Sequence, residues 1–259
     1  MEFIGIKKVP GLIGNNSLLV FSGMQLNRAP MAVVHELIKK DYGKKKRYRI
    51  VTTPNPIPTD MLIGAGLVSE LEFCFIGFKY EYGFVLPKHF RNAIEKRKIK
   101  YKETGAFSIM QGLRAGAMGL PFMAVPGFEK SDLSKDYKRV IDPYTNKEVI
   151  VRPSIIPDFA IIHAQAADRK GNIYIEDPLN EWLLCKAAKN VIVSVEEIIE
   201  PVWKKPDIPY LLVDYIIKSP KGANPCSCYK HYNYDICHIK DFAELDFEDY
   251  FNRYIVSKE

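Results

Sequence analysis

A polar segment at residues 22–28 carries side chains suited to binding a ligand. It follows the apolar run 18–21, which is typical of a strand buried on both faces. Pro30 comes next and fits the first turn of a helix, where its missing N–H costs nothing. Free N–H groups at a helix N-terminus attract anions, and the guanidinium of Arg28 adds a fixed positive charge. The segment therefore predicts an anion-binding loop between a strand and a helix.

A histidine and two adjacent glutamates offer a second set of acid–base groups. His163 ends a strongly apolar run, a position that fits a buried structural histidine better than a catalytic base. No motif for a serine or cysteine nucleophile accompanies it. Glu196 and Glu197 are consecutive in a predicted strand, so their side chains point to opposite faces and cannot act on one substrate atom. We predict structural roles for both glutamates.

The C-terminal region contains a cluster of potential metal ligands. It consists of Cys226, Cys228, His231, Cys237 and His238. Thiolates and imidazoles are the preferred ligands of zinc, but one residue between the first two cysteines is fewer than zinc motifs use. We therefore predict no metal site, and a metal- or redox-responsive protein stays open as an alternative to an enzyme.

The 22–28 segment lies within a repeating strand–helix pattern. Apolar, strand-like runs and amphipathic helices alternate from residue 18 to residue 217. This alternation predicts an α/β fold with a mostly parallel, open sheet flanked by helices, in which ligands bind at the carboxyl ends of the strands. Residues 127–153 are polar and rich in turn formers, and they predict a small excursion from the main sheet. Residues 1–259 are predicted to form a single domain.

The composition is that of ordinary globular material. Hydrophobic residues make up 47% of the chain and charged residues 26%, with a net charge of +6 that does not argue for nucleic acid binding. No run approaches the roughly 20 apolar residues that cross a bilayer, and no signal peptide is evident. Five cysteines, an odd number, argue against a disulfide framework, and we predict a cytoplasmic protein without a membrane partner.

Several segments resemble the family I coenzyme A transferases. The N-terminal pattern of that family is matched by Asn15-Asn16, Leu19-Val20-Phe21, Ser22-Gly23-Met24 and Pro30. Ser22 and Met24 replace the usual glycine and phenylalanine, and Asn27-Arg28 is similar to the α subunit of the glutaconate type. Further similar blocks lie at residues 112–122, 157–172, 186–188, 195–198 and 219–235. The resemblance implies the family I CoA-transferase subunit fold over nearly the whole chain.

The resemblance also implies a function. Such enzymes move CoA from an acyl-CoA to a free carboxylate, with the CoA thioester as substrate and no bound cofactor. A glutamate of the partner β subunit is the nucleophile, which is covalent carboxylate catalysis. This chain would then be the α subunit of a hetero-oligomer and supply half of the site. The substrate-binding residues predicted on this basis are Ser22, Gly23, Met24, Gln25, Asn27 and Arg28.

Glu103 provides a second hypothesis. Some relatives of the glutaconate-type subunits are hydrolases that open acyl-CoA rings, and their partner chain lacks the nucleophilic glutamate. In that reaction Glu103, close to a glycine-rich helix, would be the candidate general base. A charge placed near a helix start is the competing structural interpretation.

Overall fold

The computed structural model describes residues 1–256. The strands within this range are β1 (Glu2–Phe3), β2 (Leu18–Phe21), β3 (Tyr48–Thr52), β4 (Val68–Phe73), β5 (Phe78–Tyr80), β6 (Gly83–Val85), β7 (Lys100–Glu103), β8 (Phe122–Ala124), β9 (Lys138–Ile141), β10 (Glu148–Pro153), β11 (Phe159–Asp168), β12 (Ile173–Tyr174), β13 (Asn190–Ile199) and β14 (Tyr215–Lys218). The α-helices are α1 (Val9–Leu12), α2 (Met31–Asp41), α3 (Pro56–Gly64), α4 (Lys88–Glu95), α5 (Ala106–Ala117), α6 (Glu181–Ala187), α7 (Ile236–Glu244) and α8 (Phe247–Tyr250). The elements alternate between strand and helix, as the sequence pattern predicts.

The main sheet is almost entirely parallel. Its strand order is β1-β14-β13-β11-β2-β3-β4-β7, and the short β12 pairs with β11 as its antiparallel member. From β2 the chain proceeds outward through β3 and β4 to β7, and later from β11 outward through β13 and β14 in the opposite direction. The direction of winding therefore reverses between β2 and β11. The predicted mostly parallel sheet flanked by helices is confirmed.

Helices cover both faces of this sheet. The larger core lies on the side of α2, α3, α4, α7 and α8, and the second core lies beneath α5 and α6. All ten residues of β11 are buried, which explains why the run around His163 is so apolar. The helices α7 and α8 were not predicted. Their aromatic residues Phe242 and Tyr250 pack edge to face in the larger core.

The predicted excursion is a separate antiparallel sheet. It has the order β8-β10-β9, so it begins at residue 122 and not at residue 127. Arg152 in β10 joins it to the main sheet, because its guanidinium donates to both carboxylate oxygens of Glu72 at 2.6 and 2.8 Å. The hydroxyl of Tyr137 accepts a further hydrogen bond from the same guanidinium at 2.9 Å.

The remaining general predictions concern membranes and domains. A helix long and apolar enough to span a bilayer does not occur among residues 1–256. The predicted single domain, residues 1–259, extends three residues beyond the described range and stays a prediction.

Candidate ligand-binding site at the reversal of the sheet

The 22–28 loop lies at the point where the sheet reverses its winding. It leaves the carboxyl end of β2, and β2 is flanked by β11 on one side and β3 on the other. Open α/β sheets bind ligands in the crevice at such a reversal, because the loops of two adjacent strands turn away from each other there. The topology therefore places the predicted loop where a ligand site is expected.

Gly23 allows the loop to fold back on itself. Its φ is +93°, and a Cβ at this position would lie 2.5 Å from the carbonyl oxygen of Asn27 and 2.7 Å from that of Arg28. No side chain fits at these distances, and an L-residue is strained at this φ. The loop backbone therefore requires glycine at position 23, and the predicted substrate contact of Gly23 stays a prediction.

The rest of the loop is a tight turn held from two sides. Met24 and Asn27 exchange backbone hydrogen bonds of 3.0 and 2.9 Å. Gln25 and Arg28 have φ values of +56° and +50°, a region that costs non-glycine residues free energy. Hydrogen bonds of 2.7 Å from the Gln25 N–H to the carbonyl of Pro54, and from the Arg28 N–H to that of Ser227, hold this conformation.

Arg28 points into the protein and not toward a ligand. Its side chain is fully buried, and its guanidinium pairs with Asp177 at 2.9 Å and with Glu181 at 2.6 Å. Two further N–H groups donate to the carbonyl oxygens of His163 and Asp177 at 2.9 and 3.0 Å. Internal carboxylates and carbonyls occupy these donors, which favours a positioning role for Arg28, and its predicted binding of a substrate stays a prediction.

Ser22 is also directed inward. Its hydroxyl accepts the N–H of His163 at 3.0 Å, and its own N–H donates to the carbonyl of Ile161 at 3.0 Å. The buried amide of Asn55 donates to the carbonyl oxygen of Ser22. Ser22 thus connects β2 to β11, whereas Met24 is exposed and Gln25 half-buried at the mouth of the loop.

Asn27, one of the predicted substrate-binding residues of the loop, lines a cavity. This cavity has a volume of about 500 Å³ and is lined by Asn27, Asp177, Ser227, Tyr229, Lys230, His231, Tyr232 and Asn233. The amide of Asn27 donates to Asp177 and accepts the Ser227 hydroxyl at 3.1 Å. At the rim, Lys230 pairs with Glu176 at 2.5 Å. The lining is polar and hydrogen-bonding, as a site for carbonyl or carboxylate oxygens requires.

Most of this lining was not predicted as a site. Residues 227–233 were noted only within the cysteine–histidine cluster and a family block, because the turn that brings them to β2 joins segments 200 positions apart. Asp177 accepts from Arg28 and, at 3.0 Å, from Gln165. An acidic turn directly after β12, in Glu176-Asp177-Pro178, was the available sequence signal.

Glu103 lies at the same edge of the sheet but outside this cavity. It ends β7, and β3 and β4 separate it from β2. Three strand spacings correspond to about 14 Å. Its side chain is exposed, and the cavity that Asn27 lines does not include it. The structure therefore does not bring Glu103 together with the 22–28 loop, and its role as a general base remains a proposal.

Comparison with known proteins identifies the family of this chain. A sequence model of the coenzyme A transferase family matches residues 6–219. The chain belongs to the coenzyme A transferase family. It is 32% identical to the A subunit of 3-oxoadipate CoA-transferase from Pseudomonas knackmussii, over 80% of this chain and 74% of that protein. The A subunit of glutaconate CoA-transferase from Acidaminococcus fermentans is 29% identical, over 88% of this chain and 77% of that protein.

Further relatives differ in length or in described activity. An uncharacterized protein of Archaeoglobus fulgidus is 30% identical over 95% of this chain, and the chain spans 57% of that protein's length. The structure of a variant of the decarboxylase AibA/AibB superposes with a TM-score of 0.92, with 31% identity over 98% of this chain and 97% of that chain. The Acidaminococcus fermentans glutaconate CoA-transferase structure gives a TM-score of 0.90, with 24% identity, 98% of this chain and 89% of that chain. The predicted family and fold, and the predicted class of an A-type CoA-transferase subunit, are confirmed.

His163 occupies a buried network in this CoA-transferase subunit. Its Nε2 lies 2.8 Å from Glu196, and its Nδ1 lies 2.9 Å from the Ser194 hydroxyl. Burial lowers the pKa of His163, although Glu196 opposes this shift. Burial raises the pKa of Glu196, but hydrogen bonds from His163, Tyr232 and the Lys221 N–H outweigh it and leave that pKa below its ordinary value. We therefore assign a neutral imidazole that donates to an ionised carboxylate.

The cysteine–histidine cluster does not converge in the family fold. Cys226 and Cys228 lie in the larger core, whereas Cys237 is exposed. Burial raises the pKa of both core thiols to about 12, so neither is a reactive thiolate. Cys228 instead approaches His163 and Glu196, with ligand atoms within 4.8 Å of one another. The ligand atoms of His163 and Glu196 are already engaged in hydrogen bonds. The comparisons with known proteins do not favour a metal- or redox-responsive protein, and they do not favour the hydrolase.

Proposed function

We propose that this chain is the α subunit of a hetero-oligomeric CoA-transferase that moves CoA between an acyl-CoA and a carboxylic acid. The single observation that carries the proposal is the 22–28 loop, held rigidly at the reversal of the sheet and open to a polar cavity. Among the described residues lining that cavity the carboxylate is Asp177, which accepts from Asn27, Arg28 and Gln165. A carboxylate engaged in this way is a poor nucleophile, so the reacting glutamate comes from a second chain.

The transfer then proceeds in two carboxylate attacks. A glutamate of the β subunit first attacks the thioester carbonyl carbon and expels CoA as a thiolate, which leaves an acyl-glutamyl anhydride. The thiolate attacks the glutamyl carbonyl, which releases the first acid and leaves a glutamyl-CoA thioester. The second acid reverses these steps and takes the CoA. This chain contributes hydrogen-bond donors, because the amide of Asn27 carries two N–H groups and gives one to Asp177.

The β subunit docks over the carboxyl edge of the sheet. Large apolar side chains are exposed in the segments that follow the carboxyl ends of β2, β4, β7 and β14, and we call this set the rim: Met24, Phe75, Phe84, Phe107 and Tyr229. The exposed fraction reaches 63% for Phe84. Exposed apolar side chains that recur in segments along one edge of a sheet are typical of a protein interface. The rim therefore supports a partner that closes the cavity as it delivers its glutamate.

The substrates follow the names of the relatives. We propose a dicarboxylic acyl-CoA, as for the glutaconate and 3-oxoadipate enzymes, with CoA entering as part of the substrate and not as a resident cofactor. The site requires no metal ion for carboxylate catalysis. The chain functions in the cytoplasm, where its thiols, all unpaired, remain reduced.

An exchange assay tests the proposal. Glutaconyl-CoA and isotopically labelled acetate are incubated with this chain, with the CoA-transferase subunit encoded next to it, and with both. We expect labelled acetyl-CoA to form only when both chains are present. Loss of thioester without exchange would contradict transfer and favour the hydrolase.

A decarboxylase is the second candidate function. It is favoured by the superposition on the variant of the decarboxylase AibA/AibB, which covers 98% of this chain at a TM-score of 0.92. In that reaction the distal carboxyl group of the acyl-CoA leaves as CO₂, and a proton replaces it while the thioester stays intact. Glutaconyl-CoA labelled in that carboxyl group distinguishes the two activities. Labelled CO₂ would decide for the decarboxylase, whereas CoA transfer to acetate would leave the label in free glutaconate.

A further inference from the structure

A second concave surface lies between helices α5 and α6. We call it the α5–α6 groove; its volume is about 520 Å³ and its lining is Met110, Arg114, Ala117, Met118, Leu179, Asn180, Trp182, Leu183 and Lys186. Met118, Leu179 and Trp182 are each about half exposed or more, at 67%, 54% and 48%. The groove is thus an apolar surface that the described part of the chain leaves uncovered.

The lining has the composition of a protein interface. Methionine adapts its shape to a contact surface, and tryptophan offers a large contact area. Tryptophan and arginine are also among the residues that contribute most binding free energy in measured interfaces. The amide nitrogen of Asn180, directly before α6, lies 3.8 Å from the Met110 sulfur of α5. The Nζ of Lys186 lies 4.9 Å from the ring centroid of Trp182, within the range of a cation–π contact.

The charge of the groove selects its occupant. Arg114 and Lys186 are its charged residues, and the lining contains no carboxylate. A two-fold contact with a second copy would place this positive surface against itself, which like charges disfavour. An acidic surface of a different chain is complementary to it.

The position of the groove connects it to the candidate site. Asp177 lines the polar cavity, and Leu179, two residues later, lines the groove. A stable interface typically takes roughly 20–30 residues of all types from each side, so a partner that covers the rim also covers residues beyond these five. A partner that covers the rim and continues past Asp177 reaches the groove directly.

We propose that the α5–α6 groove docks an acidic, apolar surface of the β subunit, which it anchors beside the cavity. This inference rests on the proposed function, since it requires that second subunit. The groove binds, and the rim and cavity carry the chemistry. Binding and turnover are therefore separable by mutation.

Substitution of Met118 by aspartate tests the proposal. Met118 is highly exposed, so the isolated Met118→Asp chain should keep its melting temperature. Its dissociation constant for the β subunit should rise at least about tenfold, because a carboxylate is buried against an acidic surface. Ile141→Asp is the matched control: Ile141 is 60% exposed on β9 of the excursion, and binding should change less than about twofold.

Two further measurements keep the result decisive. Arg114→Glu should slow association and weaken its dependence on salt, which a purely apolar contact would not show. Hydrogen exchange should slow in residues 110–118 and 179–187 when the complex forms. Equal binding by Met118→Asp and wild type, without this protection, overturns the groove and leaves the proposed function intact.

The remaining outcomes are also informative. A wild-type chain that dimerises alone, and loses the dimer in Met118→Asp, shows that a second copy occupies the groove and overturns the choice of partner. A wild-type chain that binds no second subunit overturns the proposed function and this inference together.

Discussion

Replacing Arg28 by alanine tests whether this side chain positions the loop or binds the substrate. Its guanidinium lies 2.6 Å from Glu181, and both side chains are buried. Removing one partner of a buried ion pair leaves an uncompensated charge and costs roughly 3–5 kcal/mol. Asp177 is partly exposed, so water compensates this carboxylate for the loss of Arg28. The expected loss of unfolding free energy is about 4 kcal/mol.

Urea denaturation of the isolated chain measures this loss. A slope of about 3 kcal/mol/M converts about 4 kcal/mol into a midpoint shift of about 1.3 M. Arg91→Ala is the matched control, because Arg91 pairs with Glu95 at 2.8 Å on an exposed helix face and its removal should not shift the midpoint. Activity with the β subunit should fall for monocarboxylic and dicarboxylic acyl-CoA alike, since the whole loop loses its anchor.

The opposite pattern would refute the positioning role. An Arg28→Ala chain with an unchanged midpoint, and a KM raised only for the dicarboxylic substrate, would show that Arg28 meets the substrate carboxylate. Arg28→Lys separates charge from geometry. A lysine keeps the charge but cannot make the four directed hydrogen bonds, so it should recover only part of the stability.

Substitutions at Gly23, Asp60 and Glu103 test the loop backbone, a buried carboxyl group and the hydrolase hypothesis. Gly23→Ala should lower exchange activity at least about tenfold, because the added Cβ meets the carbonyl of Asn27; Gly14→Ala, with its nearest neighbour at 3.7 Å, is the silent control. Burial raises the pKa of Asp60 to about 7 from 3.8, although the Phe90 and His89 N–H groups oppose it. The folded state then binds more protons than the unfolded state between those values, so this carboxyl's contribution to stability is full below about pH 4 and is lost as the pH rises through about 7. Melting temperatures from pH 5 to 8 should therefore fall less in Asp60→Asn than in wild type, and parallel curves would contradict this. Glu103→Gln should leave CoA exchange within about twofold of wild type, whereas loss of a thioester hydrolysis activity would restore the hydrolase hypothesis.

Local sequence determined the elements around the site. The unbroken apolar run predicted the bounds of β2, Leu18–Phe21, because only a strand buried on both faces has no need of alternating polar residues. Pro30 predicted the start of a helix, and α2 begins at the next residue, Met31. The opposite orientation of Glu196, buried, and Glu197, exposed, follows equally from the two-residue period of a strand.

The tertiary structure decided what each polar residue in those elements does. Arg28 carries a positive charge whether it faces solvent, substrate or carboxylates, and only the approach of Asp177 and Glu181, about 150 positions away, directs it inward. Residues 227–233 complete the cavity for the same reason: their contact with Asn27 is a product of chain topology and has no local pattern. A sequence determines propensities over a few turns or strands, but the partner that satisfies a buried charge or hydrogen bond comes from wherever the fold brings the chain back.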